Sequence, residues 1–373
     1  MEKIKVAVIS DNPSFHTGYG VIAKALGDFG SDVFDISYIG LQHTGQTLDI
    51  KNSKGKAMPI YAGAITKPED RGKVTRAINE IEPDVTLTLR EPVTFSPNGF
   101  AQAFEIPPGK YKRISWIPAM SEYQPLFIIA DMLKNTDRIF TFTKAAEYIY
   151  RNSGVPYNIM QTIPLGYDSS VFKPDGKTDY FDGKKPFTYV GTSNNNRERL
   201  GILLKSFAYY MHNYDPTAYI YIHNFDEGGI YNNLRLYAEL LGIQGHILKP
   251  KALSGFNGVP ASELADIYRS STAVISQSPQ DGFNLPFLEA MGCGTNAVGN
   301  NLPFYDWSDQ IIKVRAEVSE ETGLAFGQLS STKDFAEGMH VAVTRQIDTD
   351  ILKKTYDWKV IVRQVKKAIG DIL

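Results

Sequence analysis

The chain has a single cysteine among 373 residues. That excludes a disulfide framework and any zinc or iron–sulfur site built on several thiolates. No run of 18 apolar residues occurs, so nothing reads as a membrane-spanning helix, and the apolar run in MEKIKVAVIS is too short for a secretory leader. An excess of charge is also missing. The 39 Lys and Arg against 41 Asp and Glu leave −2, and residues 1–170 carry 18 of each sign, so nothing announces a nucleic acid or an anionic membrane. There is no repeat at a period of 20–50 residues and no low-complexity tract. The expected setting is the cytoplasm, and the length suffices for two hydrophobic cores without disulfide or metal staples.

What is present is a rhythm of strand and helix. KIKVAVIS is a β-branched run of the kind found in buried parallel strands. A polar loop, DNPSFHTGYG, and a helical pattern, VIAKALGDFG, follow it. The alternation continues through DVFDISYIG, VTLTLR, RISWIP, PLFIIADMLKNTD, RIFTFT, KAAEYIYRNSGV and NIMQTIPLG. Residues 167–186 are polar, rich in Gly, Pro and Asp, and lack periodicity, as a hinge would be. A second series runs from FTYVGTSNNN to TNAVGNN, and DWKVIVRQVKKAIGDIL closes the chain as a helix. The expected fold is α/β, with two Rossmann-like doubly wound parallel-sheet domains facing across a cleft. The first domain is placed at 1–166, the linker at 167–186 and the second domain at 187–350. Residues 351–373 are placed as a helix crossing back to the first domain.

DGFNLPFLEAMGCGTNAVGNN holds two acids, Asp281 and Glu289, eight residues apart around a turn and a helix start. Ionised oxygens accept strong hydrogen bonds from sugar or ribose hydroxyls, and the N–H groups at a helix start suit a phosphate. On spacing alone, a turn-opening Asp281 and a solvated helical Glu289 is the simpler reading.

The stretch resembles the signature of retaining glycosyltransferases of the GT-B fold, particularly family 4, usually written EGFGLPxLEAMACGxPVV. TIPLGYDSSVFKP, VPASELADIYRSSTAVISQS and DWKVIVRQVKK resemble further segments of that family in the same order, so the likeness covers about residues 137–373. The resemblance implies that Glu289 binds the ribose of a nucleotide donor and that Asp281 touches hydroxyls of the donor sugar. Gly282, Phe283, Asn284 and Leu285 would complete the donor loop. Two departures stand out: Asp281 is shorter than the family's Glu, and Asn284 replaces its usual Gly. A cationic pair is expected in VGTSNNNRERLGILLKSF to stabilise the leaving diphosphate. Arg197 takes the first place, Glu198 replaces the usual Lys, and Arg199 follows.

In the first half, SDNPSFHTGYGVIAKAL takes the place of the family's first glycine-rich loop. Gly18, Tyr19 and Gly20 stand at a helix start that favours an anion or developing negative charge, and His16 in the same loop is a candidate catalytic residue, with a surface-loop histidine the simpler reading. RISWIPAMSEYQP takes the place where the resemblance implies a polar group near the reacting sugar, often a His or an Asp; it offers Trp116, Ser121, Glu122 and Tyr123 instead, of which Glu122 is the candidate to orient the acceptor hydroxyl. Arg90 and Glu91 are comparable candidates. The resemblance implies sugar transfer from a nucleotide-diphosphate sugar by a hexosyl- or pentosyltransferase, with UDP-sugar favoured over GDP-sugar. It implies no permanently bound cofactor and no metal. The acceptor stays open among saccharide, lipid, protein and modified nucleic-acid base. Rival readings are a non-catalytic nucleotide-sugar-binding protein, a nucleotide-sugar epimerase and a nicotinamide oxidoreductase. The last rests on the G-x-G-x-x-A match of GYGVIA, which begins too late after the strand for a tight dinucleotide turn. Asp348-Thr349-Asp350 reads as a helix cap, and the KYKR run at 110–113 as a solvated turn.

Overall fold

The structure, a computed structural model, describes residues 3–67, 70, 72–98, 100–119, 121, 124–191, 199–224, 230–250, 258–321 and 326–373. The chain divides into two compact units, residues 1–165 with 358–373 and residues 166–357.

The first unit is built on strands β1 (Ile4–Ser10), β2 (Phe34–Gly40), β3 (Leu48–Lys51), β4 (Ala57–Ala62), β5 (Val85–Leu89), β6 (Lys112–Ile117), β7 (Arg138–Thr141) and β8 (Met160–Thr162). They form one sheet in the order β3-β4-β2-β1-β5-β6-β7-β8. Val6 of β1 lies opposite Ile36 on one side and Val85 on the other, in parallel register. Helices α1 (Gly18–Gly30), α2 (Gly72–Ile81), α3 (Leu126–Lys134) and α4 (Lys144–Asn152) connect the strands. The chain runs outward in one direction after β1 and in the other after β5, which makes that pair the topological switch point. The β3–β4 hairpin is antiparallel, with Leu48 opposite Ile60. It was illegible in the sequence because its outer strand, LDIK, is four residues long and mostly exposed, too short for its alternation to stand out.

Two sequence expectations in this unit need correction. Arg113 is no part of a solvated turn: it lies on β6, buried, and its guanidinium donates to Asp137 Oδ1 at 2.6 Å, to the Lys134 carbonyl at 2.7 Å and to the Ile106 carbonyl at 3.1 Å. Trp116 is a core side chain, fully buried, with its indole N–H on the Ile163 carbonyl at 2.8 Å. Its ring satisfies the interior and offers nothing to a ligand.

The second unit has a parallel sheet of β9 (Phe187–Val190), β10 (Ile220–His223), β11 (Ile247–Leu248), β12 (Ala273–Ser276), β13 (Asn296–Asn300) and β14 (Ile312–Val314), ordered β11-β10-β9-β12-β13-β14. Its helices are α5 (Leu200–Asn213), α6 (Ile230–Leu241), α7 (Ala261–Arg269), α8 (Leu285–Gly292), α9 (Thr332–Ala342) and α10 (Thr349–Tyr356), and β15 (Ala316–Glu321) and β16 (Phe326–Ser330) form an antiparallel hairpin. Phe187, Leu203, Phe207, Ile220, Phe335 and Met339 are among the buried side chains of one core between sheet and helices. Residues 166–186 pack on this unit. Phe172 and Phe181 are buried, the Tyr180 N–H donates to Ser270 Oγ at 2.9 Å, and Arg269 donates to the Lys173 carbonyl at 2.9 Å. Asp348 caps α10, accepting from the N–H groups of Asp350 and Ile351 at 3.0 and 3.2 Å. The chain leaves the unit after Asp357. Helix α11 (Trp358–Gly370) then buries Trp358, Ile361, Val362, Val365, Ala368 and Ile369, a one-sided stripe that packs against α1 of the first unit.

Candidate functional site

In the second sheet the switch point lies between β9 and β12, where ligands of open parallel sheets bind at the strands' carboxyl ends. The loop after β9 feeds α5, and the loop after β12 feeds α8. The two are tied: Ser206 Oγ on α5 donates to Gln277 Oε1 at 2.7 Å, and Gln277 Nε2 donates to the Ser330 carbonyl and hydroxyl, each at 3.2 Å. Asn300 continues the buried chain, with Nδ2 on the Ser278 carbonyl at 2.9 Å and Oδ1 accepting from Ser330 Oγ at 2.6 Å. These neutral amides and hydroxyls satisfy one another, which fixes the backbone leading to Asp281.

The 281–285 loop is braced from the segment after β13. Asp281 accepts from the Phe283 N–H on Oδ1 at 3.3 Å and from the Tyr305 hydroxyl on Oδ2 at 3.2 Å. Asn284 Nδ2 donates to the same hydroxyl at 3.1 Å. The Phe283 ring stacks on Trp307 with centroids 4.7 Å apart, and the Trp307 indole N–H donates to the Phe283 carbonyl at 3.0 Å. Gly282 is buried, and Leu285 opens α8. Asn284 stands at the N-cap of α8 with φ 63° and ψ 72°, in the left-handed region. Glycine is the default residue there and asparagine the best-tolerated replacement, which accounts for its taking the place of the family's Gly.

Glu289 is the chemically unusual group. It is 7 % exposed, on a helix whose neighbouring side chains are buried and apolar. Burial pushes its carboxyl up to about 8, although the Tyr268 hydroxyl, donating to Oε2 at 3.1 Å, pulls the other way. The carboxyl is therefore mostly protonated at neutral pH, and it gains from any further donor that reaches it. The solvated reading that spacing alone favoured is wrong, and a signal against it was available: in LPFLEAMGC apolar residues flank Glu289 on every side, the pattern of a helix buried all round. On the same helix end, burial pushes the Cys293 thiol up to about 12, which leaves it inert. His223, at the end of β10, is held down to about 4 by burial, with Nδ1 and the Tyr221 hydroxyl 2.9 Å apart.

Arg199 heads α5 with φ 53°, also left-handed, and its carbonyl accepts from the Ile202 and Leu203 N–H groups at 2.9 and 3.1 Å. Arg197 and Glu198 lie outside the described residues. The second unit thus places Asp281, Gly282, Phe283, Asn284 and Leu285 at the loop–helix junction after β12, Glu289 in the second turn of the helix that follows, and Arg199 at the helix start after β9. Tyr305, Trp307 and Tyr268 were missed in the sequence. Each acts through a tertiary contact, and only the aromatic run FYDW marks the first two.

In the first unit the switch point carries Asp11 after β1 and Arg90 and Glu91 after β5. The buried Asp11 carboxylate accepts from Thr17 Oγ1 at 2.6 Å, from the Gln42 amide and from the Arg90 guanidinium. Arg90 in turn lies over the Tyr19 ring, 5.3 Å from its centroid. Burial, reinforced by Glu91, raises the Tyr19 phenol well above its ordinary value. The Gly20 N–H donates to Thr17 Oγ1 at 3.1 Å, and a Cβ on Gly20 would meet the Phe15 carbonyl at 2.6 Å. Its smallness therefore serves the turn itself. Gly18 and His16 are exposed. Ser121 is buried and accepts from Gln124 Nε2 at 3.2 Å, whereas Glu122 and Tyr123 lie outside the described residues. Among the described residues no group of three or more His, Cys, Asp or Glu side chains could hold a metal, and no helix is long and apolar enough to cross a membrane.

No protein-family model and no curated protein sequence matches the chain. Solved structures do. HepE from Anabaena, crystallised with UDP-glucose, superposes over 99 % of this chain and 100 % of its own with a TM-score of 0.69 at 10 % identity. Sucrose-phosphate synthase from Thermosynechococcus elongatus covers 99 % of both chains, with a TM-score of 0.71 at 14 % identity. The lipopolysaccharide outer core galactosyltransferase WaaB covers 99 % of this chain and 100 % of its own, with a TM-score of 0.62 at 15 % identity. The fold is GT-B. At these identities the fold is what is shared, and these three solved structures are glycosyltransferases. The switch point of the second unit carries Asp281, the left-handed helix caps Arg199 and Asn284, and the buried amide network of Gln277 and Asn300.

Proposed function

We propose that the chain transfers a sugar from a nucleotide-diphosphate sugar, a UDP-sugar by preference, to an acceptor hydroxyl, with retention of configuration and without a metal. The observation that carries this reading is Glu289: a buried carboxyl with one hydrogen-bond donor among the described residues, at the switch point of a parallel sheet. A ribose supplies vicinal hydroxyls of the kind that group lacks. The crystallised complex of HepE with UDP-glucose supports a donor of the same class.

In this scheme Glu289 accepts from the ribose and Asp281 accepts from hydroxyls of the donor sugar. The N–H groups at the start of α8, with Arg197 and Arg199, stabilise the departing diphosphate, the part a metal would otherwise take. The bond from the anomeric carbon to the diphosphate oxygen breaks as the acceptor oxygen bonds to the same face. The acceptor's proton leaves with the diphosphate, and no protein nucleophile is named. The acceptor belongs to the first unit, at His16, Gly18, Tyr19 and Gly20 beside Glu91 and at Glu122. Asp11, Arg90 and Glu91 there sum to a negative charge, which suits a hydroxyl better than an anion.

The test is a thermal-shift panel of UDP, GDP, ADP, dTDP and NAD with the common sugar conjugates. One nucleotide diphosphate at about a hundred times its Kd adds roughly 2.7 kcal/mol of stability, a shift of several degrees. That shift is expected to vanish in Glu289→Gln. Silence from every nucleotide, or a shift from NAD alone, overturns the proposal.

A further inference from the structure

The donor loop contains a side-chain relay that the acid pair does not account for. Tyr305 is fully buried, and its ring lies 5.3 Å from that of Phe287, centroid to centroid. Gly299 makes room for it: a Cβ there would stand 2.8 Å from Tyr305 Cε2 and 2.9 Å from the Phe287 ring. The ring is thus held by packing, and its hydroxyl is delivered to one place. There it accepts from Asn284 Nδ2 at 3.1 Å and donates to Asp281 Oδ2 at 3.2 Å, while the Phe283 N–H holds Oδ1. Both oxygens of a carboxylate on a short side chain are engaged from within the protein, so its rotation about χ1 and χ2 is restricted.

We propose that Tyr305, set by Asn284, is a positioning residue that aims Asp281 and thereby decides which hydroxyl stereochemistry the site accepts on the donor sugar. The inference rests on the reading of Asp281 as a sugar-binding acid. An aspartate free to turn could follow a hydroxyl from one epimer to the other. One pinned at both oxygens presents its remaining lone pairs in fixed directions, and a sugar with the hydroxyl inverted must leave that bond unmade. Pinning of this kind also compensates for the shorter reach of Asp: the group cannot search, so the protein places it.

Titration calorimetry with UDP, UDP-glucose and UDP-galactose, and with GDP, GDP-glucose and GDP-mannose, tests this without knowledge of the acceptor. The wild type is expected to bind one sugar of an epimeric pair at least tenfold more tightly than the other. Tyr305→Phe keeps the ring and loses the hydroxyl. It should bring the two epimers within about threefold of each other while leaving affinity for the free nucleotide unchanged. Asn284→Gly fits the left-handed backbone and should shift the ratio in the same direction by a smaller factor. Three results would overturn the inference alone: a wild type that binds both epimers equally, a Tyr305→Phe protein that keeps the wild-type ratio, or one that loses free nucleotide and sugar nucleotide alike. No binding of any nucleotide by the wild type would remove the proposed function and this inference with it.

Discussion

Glu289 sits where water reaches little of its carboxyl, and the consequence is a stability that depends on pH in a stated direction. In the unfolded chain the group ionises near its ordinary 4.5, and in the folded protein near 8. Between those values the folded state keeps a proton that the unfolded state has released, so stability falls as pH rises and the loss is complete above about 8. Glu289→Gln removes this titration. The difference in unfolding free energy between variant and wild type should therefore grow by up to about 1.4 kcal/mol per pH unit across that window, with the variant the more stable at pH 8.5. Parallel denaturation curves from pH 5 to 9 would show instead that the carboxyl is hydrated. Single residues were also where the sequence misled most. KYKR looked like a surface cluster, yet β6 turns Arg113 inward to two carbonyls and Asp137. A run of charges carries no mark of which member a strand will bury.

At the scale of an element, α8 and the loop before it were the most legible part of the chain, because strand, turn and helix start are consecutive in sequence. The turn at Asp281 and the helix behind it fell where the pattern put them, but the helix opens at Leu285 with Pro286 in its first turn, not in the loop before it, and Glu289 is buried. What could not be read was the bracing, since Tyr305 and Trp307 come from beyond the next strand, and the pairing of Gln277 with Ser206 and Ser330 joins three separate segments. The left-handed cap supplies a test. Asn284→Ala places a Cβ-bearing residue without a local hydrogen bond at φ 63° and should lose about 1–2 kcal/mol, whereas Asn284→Gly should be near neutral in stability. Chemical denaturation of the two variants side by side measures the difference. Equal losses would mean that the side-chain bond to Tyr305, and not the backbone, decides the preference for Asn.

At the scale of the whole molecule, the alternation of strand and helix announced two α/β units, but the edge hairpin of the first and the β15–β16 hairpin of the second left no such trace. The first unit is assembled from two stretches of chain separated by all of residues 166–357. Five large apolar side chains of α11, Trp358, Ile361, Val362, Val365 and Ile369, are buried, at roughly 1.5–3 kcal/mol each, a sum comparable with the net stability of an entire domain. Truncation after Asp357 should therefore strip amide protection from β1 and α1 while residues 166–357 keep theirs, as hydrogen exchange read by mass spectrometry would report. Unchanged protection in β1 would mean that the remaining helices suffice. The same connectivity sets a delay during synthesis. At 5–20 residues per second the ribosome needs roughly 10–40 s to make the intervening residues, and for that time α1 waits without its covering helix. The half of the protein that is begun first is finished last, and its exposed greasy side is open to chaperones for as long as the other half takes to emerge.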